Sequence, residues 1–177
     1  LAHCRRTGTW IVADAVYERL YYVPGQRCAP SFLDVALPDD RLIVAHSFSK
    51  TYAMTGWRLG WLVAPKDMMD GLGKLIEFNT SCAPTFVQRA GLAALGGADA
   101  SVPALVQRLK ACRDTLVPQL AALPGVELAL PEAGMYAFFR VQGQPDSLAL
   151  AKRLVAALAA ATSFLAAAAP NMVSSPR

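Results

Sequence analysis

The sequence predicts an α/β fold, and three of its features carry that prediction. Short apolar runs, such as Ile11-Val12-Ala13 and Leu42-Ile43-Val44-Ala45, are continuous rather than alternating, which is typical of strands buried on both faces of a parallel sheet. A stretch rich in proline and aspartate separates these runs. After Pro65, apolar residues recur at helical spacing, so strands are expected to give way to helices.

Three strands are predicted in the first part of the chain. The first begins at Trp10, the second is "RLIVAH" at residues 41–46, and the third is "LGWLVAP" at residues 59–65. Between the first two lies "PGQRCAPSFLDVALPDD", which is expected to form a loop with one short turn of helix.

Helices are predicted to dominate after Pro65. One is expected over "KDMMDGLGKLIEF" at residues 66–78. A second covers "TFVQRAGLAALGG" at residues 85–97 and ends at Gly96-Gly97. A third is expected to begin at Ser101 as N-cap, with Pro103 in its first turn. Its apolar stripe is predicted to consist of Leu105, Leu109, Cys112, Leu116 and Leu120.

The end of the chain predicts a hairpin and one more helix. "GVELALPEAGMYAFFRV" at residues 125–141 is typical of two strands around a turn. "DSLALAKRLVAALAAA" is expected to form an amphipathic helix with Asp146 or Ser147 as its cap. The chain is therefore divided into a strand-rich part, residues 1–97, and a helix–hairpin–helix part, residues 98–177.

Composition narrows the classes of function. The net charge of +4 comes without a cluster of Lys and Arg, which gives little support to nucleic-acid binding. The four cysteines are widely spaced, and His3 and His46 are isolated, so no metal site is expected and a reducing, cytoplasmic location is favoured. The apolar stretch 154–169 is shorter than the ~20 residues a bilayer requires, and no membrane contact is predicted.

The stretch "SFSKTYAMTGWRLG" at residues 47–60 holds the main functional signal. Lys50 follows an apolar strand, Ser47 and Ser49 stand beside it, and Gly56, Arg58 and Gly60 follow at every second position. Hydroxyls and a guanidinium group suit an anion such as phosphate, and a lysine amine can serve as a nucleophile. The alternative for Lys50 alone is a solvated surface charge.

This stretch resembles the lysine motif of pyridoxal-phosphate enzymes of the aspartate aminotransferase superfamily (fold type I, class I and II aminotransferases). The family pattern is Ser-x-Ser-Lys, five residues, then Gly-x-Arg-x-Gly. Upstream, "IVADAVYERLYY" is similar to the family's Asp-x-x-Tyr strand, and "TFVQRAGLAAL" and "PEAGMYAFFRV" extend the resemblance to most of residues 9–155. The resemblance implies the second half of a mixed-sheet, cofactor-binding large domain at 1–97 and part of an α+β small domain at 98–177, with an atypical tail after residue 155.

The resemblance also implies roles for the residues around the cofactor ring. Lys50 would be the catalytic residue, holding the aldehyde of pyridoxal 5′-phosphate as a Schiff base and then moving a proton. Asp14 would keep the pyridine nitrogen charged, and its carboxylate is expected to lie near a buried strand end. Tyr17 would meet the 3-oxygen of the ring.

On the phosphate side, the resemblance implies that Ser47 and Arg58 bind the anion and that Ser49 places a second hydroxyl near it. Gly56 and Gly60 are expected to let the backbone turn tightly and pass close to neighbouring chain. No metal ligand is implied.

The function implied is amino-group transfer between an amino acid and a 2-oxo acid, in a homodimer. The family's Gly-rich phosphate loop, ring-stacking aromatic residue and carboxylate-binding arginine have no counterpart in the sequence, so a truncated and poorly active fragment is expected. Three alternatives stay open, namely a fold type I lyase or decarboxylase, a non-catalytic cofactor-binding remnant, and a sensor domain. "TGWRLGWLVAP" favours the aminotransferase branch.

Overall fold

A computed structural model describes residues 1–168, with side chains described for residues 1–97 and 100–159. Contacts group the described residues into two compact units, one made of Leu1–Gln119 with Leu130–Ala137 and one made of Leu120–Ala129 with the described residues from Phe138 onward. These contact units do not test the domain border predicted after residue 97, which stays a prediction. The last residues of the predicted atypical tail, 169–177, lie outside the described residues.

The first unit contains the three predicted strands in one mixed sheet. The strands are β1 (Ile11–Asp14), β2 (Leu42–Ser47) and β3 (Gly60–Val63), in the order β1-β2-β3. β1 and β2 are parallel and pair Asp14 with Ala45, whereas β2 and β3 are antiparallel and pair Ser47 with Gly60. The core includes Val44 of β2 and Leu20, which are almost completely buried.

The expectation that all three strands are buried on both faces is wrong for β1 and β3. In β2 Val44 is buried, but Val12 of β1 is 72% exposed and Leu62 of β3 is 43% exposed. Side chains alternate between the two faces of a strand, and the described elements cover the Val44 face better than the Val12 face. A continuous apolar run therefore shows that both faces of a strand could be buried, and not that both faces are buried in this structure.

Four helices accompany the sheet, namely α1 (Ala2–Thr7), α2 (Met69–Thr80), α3 (Thr85–Gly96) and α4 (Ala98–Ala121). The predictions for α2 and α3 are confirmed, whereas α1 was not predicted. Short 3-10 helices lie at Phe32–Asp34, Thr55–Trp57 and Lys66–Met68, and the first of them is the short turn expected in the proline-rich loop.

The prediction that Ser101 caps α4 is wrong. The helix begins at Ala98, and the Ser101 hydroxyl donates to the carbonyl of Gly97 at 3.2 Å from within the helix. Because the chain enters α4 almost directly from the end of α3, the helix starts before the Ser-x-Pro signal. Pro103 consequently lies beyond the first turn.

The packed face of α4 also differs from the predicted stripe. Val102 and Val117 are buried, while Cys112 and Leu116 are exposed. Arg113 lies on the packed face, with its guanidinium 4.7 Å from the centroid of the Tyr22 ring. Arginine can pack its apolar stem and its planar head while remaining charged, so hydrophobicity alone placed the stripe incorrectly.

The second unit contains both strands of the predicted hairpin and the final helix, whereas residues Leu130–Ala137 between the strands belong to the first unit. β4 (Val126–Leu128) and β5 (Phe139–Val141) are antiparallel, with Leu128 paired to Phe139. α5 (Ser147–Ala168) is capped by Asp146, whose carboxylate accepts a hydrogen bond from the Ala149 amide at 2.9 Å. Of the two predicted caps, Asp146 is therefore confirmed. Within residues 1–168, none of the helices has the length and apolar character needed to cross a membrane.

Candidate active site

The sheet of the first unit brings the two sequence motifs to one edge. Because β1 and β2 are parallel, their carboxyl ends, Asp14 and Ser47, lie at the same edge. β3 runs in the opposite direction and starts at Gly60, so Arg58 reaches this edge from the other side. Ligands of open α/β sheets bind outside the carboxyl ends of the strands, and we call this edge the lysine edge.

Lys50 lies in the turn that follows β2, and its amine contacts the aromatic residue that was predicted with it. The Lys50 Nζ atom is 5.8 Å from the centroid of the Tyr17 ring, within the range of a cation–π contact. The turn is closed by backbone hydrogen bonds, from the Phe48 amide to the Leu59 carbonyl at 3.1 Å and from the Ala53 amide to the Lys50 carbonyl at 3.2 Å. These bonds fix the backbone on both sides of Lys50.

Tyr17 also meets a residue that the sequence did not indicate. Its hydroxyl lies 3.0 Å from the Tyr136 hydroxyl, and the two rings meet edge to face with centroids 5.7 Å apart. The hydrogen bond with Tyr136 raises the pKa of Tyr17, and burial and the nearby Asp14 carboxylate raise it further. Tyr17 therefore remains a neutral phenol that can donate a hydrogen bond. The sequence separation of 119 positions between the two tyrosines explains why no local pattern predicted this contact.

Asp14 stands at the end of β1 as predicted, but the expectation that its carboxylate is near buried surroundings is wrong. The residue is exposed, and its Oδ1 accepts a hydrogen bond from the Val16 amide at 3.1 Å. The alternation of β1 puts Asp14 on the same face as the exposed Val12. Asp14 and Tyr17 together line a cavity of about 270 Å³.

The side chains predicted to bind phosphate make hydrogen bonds to their own backbone. The Ser47 Oγ accepts from the Ser49 amide at 3.0 Å, which uses an oxygen lone pair and not the hydroxyl proton. One Arg58 nitrogen donates to the Thr55 carbonyl at 2.9 Å, while a guanidinium carries five N–H donors. Arg58 is exposed and lines a second cavity, of about 810 Å³.

The backbone at Arg58 adopts a left-handed conformation, with φ 52° and ψ 48°. For a residue with a Cβ this conformation costs roughly 1–2 kcal/mol, and such costs cluster at functional sites. The conformation directs the chain from the 3-10 helix Thr55–Trp57 into β3.

The two glycines of the motif behave differently. A Cβ added to Gly60 would lie 2.6 Å from the His46 carbonyl oxygen, so this position requires glycine where β3 approaches β2. A Cβ at Gly56 would meet no atom within 4 Å. The expectation of a close approach is thus confirmed for Gly60 and wrong for Gly56.

Comparisons with known proteins agree with this arrangement. The family model "Aminotransferase class I and II" matches residues 1–168. An aspartate aminotransferase of Musicola paradisiaca is 36% identical over 136 residues, which are 76% of this chain and 33% of that protein.

Solved structures give the same result. The structure of a Thermotoga maritima aspartate aminotransferase superposes with a TM-score of 0.75 at 31% identity and covers 87% of this chain and 39% of its own. An aromatic aminotransferase of Pyrococcus horikoshii superposes with a TM-score of 0.69 at 27% identity, over 78% of this chain and 37% of that chain.

The fold, the lysine edge and these matches define a class of protein. The chain belongs to the class I and II aminotransferase family, and its α/β architecture is that of fold type I. The predicted family and fold class are confirmed. The chain spans about a third of the length of the Musicola relative that it matches.

Proposed function

We propose that this chain carries the lysine side of a pyridoxal-5′-phosphate site, and that the protein carrying it transfers an amino group between an amino acid and a 2-oxo acid. The observation that carries the proposal is the position of the Lys50 amine against the Tyr17 ring, 5.8 Å from its centroid. Both residues lie at the sheet edge that Asp14, Ser47 and Arg58 also reach.

The donor set at this edge fits the cofactor that the family implies. Lys50 offers an amine, Asp14 an exposed carboxylate and Tyr17 a neutral phenol, and Ser47 and Arg58 offer a hydroxyl and a cation suited to a phosphate group. When bound, pyridoxal 5′-phosphate supplies an aldehyde that exchanges amino groups and a pyridine ring that accepts electrons.

Each side chain then has a defined task. The Lys50 amine would bond to the aldehyde carbon with loss of water and, when a substrate amine displaces it, would carry a proton to or from the substrate. The Asp14 carboxylate would hold a proton on the ring nitrogen, and the Tyr17 hydroxyl would donate to the 3-oxygen. Ser47 and Arg58 would bind the phosphate, and Ser49 would place a second hydroxyl near it.

The partners proposed are amino acid and 2-oxo acid substrates and a second copy of the chain. Large exposed apolar side chains of the first unit support a partner surface, since Phe78 is 96% exposed and Phe86 is 67% exposed. The four cysteines are free thiols, which supports the proposal of a reducing, cytoplasmic location.

The test follows the cofactor spectrum of the protein that carries this chain during addition of single amino acids. Conversion to the aminated cofactor, with release of the matching 2-oxo acid, is the expected result. Lys50→Ala should abolish it, whereas the exposed Lys74→Ala serves as a matched control and should not. Bound cofactor that no amino donor converts would favour the non-catalytic alternative, and release of carbon dioxide or of a leaving group would favour the decarboxylase or lyase.

A further inference from the structure

Two consecutive charged residues follow Tyr17, and each reaches the segment that carries Lys50. The Glu18 Oε1 lies 3.1 Å from the Nδ1 atom of His46. Arg19 donates to the Tyr52 hydroxyl at 3.1 Å. His46 precedes Lys50 by four residues and Tyr52 follows it by two, so the two contacts lie on either side of the lysine.

His46 provides a rigid anchor for the first contact. The residue is 8% exposed, and its ring stacks on Trp61 with centroids 4.8 Å apart and planes 8° apart. β2 and β3 pair the same two residues, so the stack is supported by the backbone. A ring held in this way cannot move without disturbing the sheet, and Glu18 is therefore tied to a fixed point.

The polar character of His46 is costly if its role is only to fill the core. Its Nε2 atom is buried and has no hydrogen-bond partner among the described residues, and leaving a buried polar atom unpaired is unfavourable. An apolar side chain would avoid that cost. Unlike an apolar side chain, histidine provides an Nδ1 atom that can bind Glu18.

The second contact acts on the other side of the turn. Tyr52 packs against Phe48, with ring centroids 5.0 Å apart, and Phe48 in turn meets Trp61 edge to face at 5.2 Å. Arg19 thus binds a hydroxyl whose ring belongs to the same aromatic group that holds His46. Both ends of the Lys50 turn are connected to the short segment that begins with Tyr17.

We propose that Glu18 and Arg19 are positioning residues that hold the Lys50 turn against the Asp14–Tyr17 segment, so that the amine and the phenol stay in contact. This inference rests on the proposed function, because the contact has value only if Lys50 reacts with an aldehyde. Neither residue belongs to the cofactor-binding set, and each acts through another side chain, Glu18 through His46 and Arg19 through Tyr52.

The test measures the reactivity of Lys50 itself. The 177-residue chain is incubated briefly with pyridoxal 5′-phosphate and reduced with borohydride, and labelled peptides are quantified. In the wild type, Lys50 should be labelled faster than the exposed Lys66 and Lys74, which report general lysine reactivity in the same sample. Glu18→Ala and Tyr52→Phe should each slow Lys50 labelling about tenfold or more, since a misplacement of about 1 Å can cost a hundredfold, and should leave Lys66 and Lys74 unchanged.

Rescue separates positioning from loss of charge. Glu18→Gln keeps an oxygen that can accept from Nδ1 and should recover most of the Lys50 rate, while Glu77→Ala, which removes an exposed carboxylate from α2, should have no effect. Because Tyr52→Phe removes a single hydroxyl, it tests the Arg19 contact even if Glu18→Ala unfolds, and His46→Phe then tests the Glu18 contact by removing its partner.

Two outcomes would overturn the inference, and they differ in what else they affect. If Lys50 is labelled faster than Lys66 and Lys74 in the wild type and its labelling rate is the same in Glu18→Ala and Tyr52→Phe, the positioning role alone is rejected. A wild-type chain in which Lys50 is labelled no faster than Lys66 would reject the proposed function and this inference together.

Discussion

Charged residues lie at both edges of the sheet in the first unit, but the groups that hydrogen-bond to them differ between the two edges. At the edge opposite Lys50, Arg5 binds Asp40 through two hydrogen bonds of 2.6 Å, and the Leu37 amide adds a third at 2.7 Å. Asp40 is 8% exposed. The bond from Arg5, followed by the Leu37 amide, lowers the pKa of its carboxyl from 3.8 to about 2.

At the lysine edge two of the residues proposed to bind the cofactor, Asp14 and Arg58, meet backbone instead. Asp14 accepts from the Val16 amide and Arg58 donates to the Thr55 carbonyl, each within its own turn. Paired charges stabilise a fold, whereas charges held only by local backbone retain donors and acceptors for a ligand. Substitutions at the lysine edge should therefore affect turnover or cofactor binding more than stability, and substitutions at the opposite edge should affect stability more than the site. The following predictions test that difference.

The largest effect is expected for Asp14→Asn at the lysine edge. The amide cannot hold a proton on the ring nitrogen, so turnover by the protein that carries this chain should fall about a hundredfold, as for loss of other preorganised charge. The thermal midpoint should change little, because the carboxylate is exposed and an Asn oxygen can still accept from the Val16 amide. Unchanged turnover in Asp14→Asn would reject the role of Asp14.

A smaller effect is expected for Arg58→Ala. Loss of a charge-assisted hydrogen bond of about 1.5–3 kcal/mol should weaken cofactor binding roughly tenfold to a hundredfold, measured by titration of the cofactor spectrum. The thermal midpoint should change little, because arginine and alanine carry a similar strain in the left-handed conformation and the Arg58 side chain is exposed. Arg89→Ala, which removes an exposed arginine of α3, should bind the cofactor as the wild type does.

The smallest effect on the site, and the clearest on stability, is expected for Asp40→Asn at the opposite edge. Because the folded-state pKa lies below the ordinary value, the stabilisation by Asp40 is complete above about pH 4 and is lost as the pH falls toward 2. The thermal midpoint of Asp40→Asn should be lower than that of the wild type at neutral pH, and the difference should shrink in acid. Lys50 labelling should stay normal.

The exposed Asp39→Asn is the matched control for that experiment. Its thermal midpoint should follow the wild type across the same pH range. A gap between Asp40→Asn and the wild type that stays constant down to pH 2 would show that the Arg5–Asp40 pair does not account for the stability of this edge.

The lysine edge could be predicted from sequence wherever the signal was local. Ser47, Lys50 and Arg58 lie in one stretch of fourteen residues, and β1 and β2 are marked by apolar runs, so the parallel pairing that brings Asp14 to Ser47 follows from ordinary α/β rules. The close approach at Gly60 was expected from the glycine in the motif, and the structure shows that the antiparallel β3 brings it against His46.

Other parts of the site could not be predicted because they depend on packing across long separations. The contact of Tyr17 with Tyr136 and the contact of Glu18 with His46 join segments with no shared local pattern. The exposure of Asp14 depends on which face of β1 is covered, and an apolar run does not reveal that. Ser101 failed as a cap because the start of α4 was set by the end of α3.

The measurement that tests the central claim most directly is the location of the reduced cofactor adduct. The 177-residue chain is saturated with pyridoxal 5′-phosphate, reduced with borohydride, and mapped by peptide mass spectrometry. If the lysine edge is the cofactor site, the adduct should lie on Lys50, and Lys50→Arg should remove it without increasing the labelling of other lysines. An adduct that lies mainly on Lys66 or Lys74, or that persists unchanged in Lys50→Arg, would contradict the account.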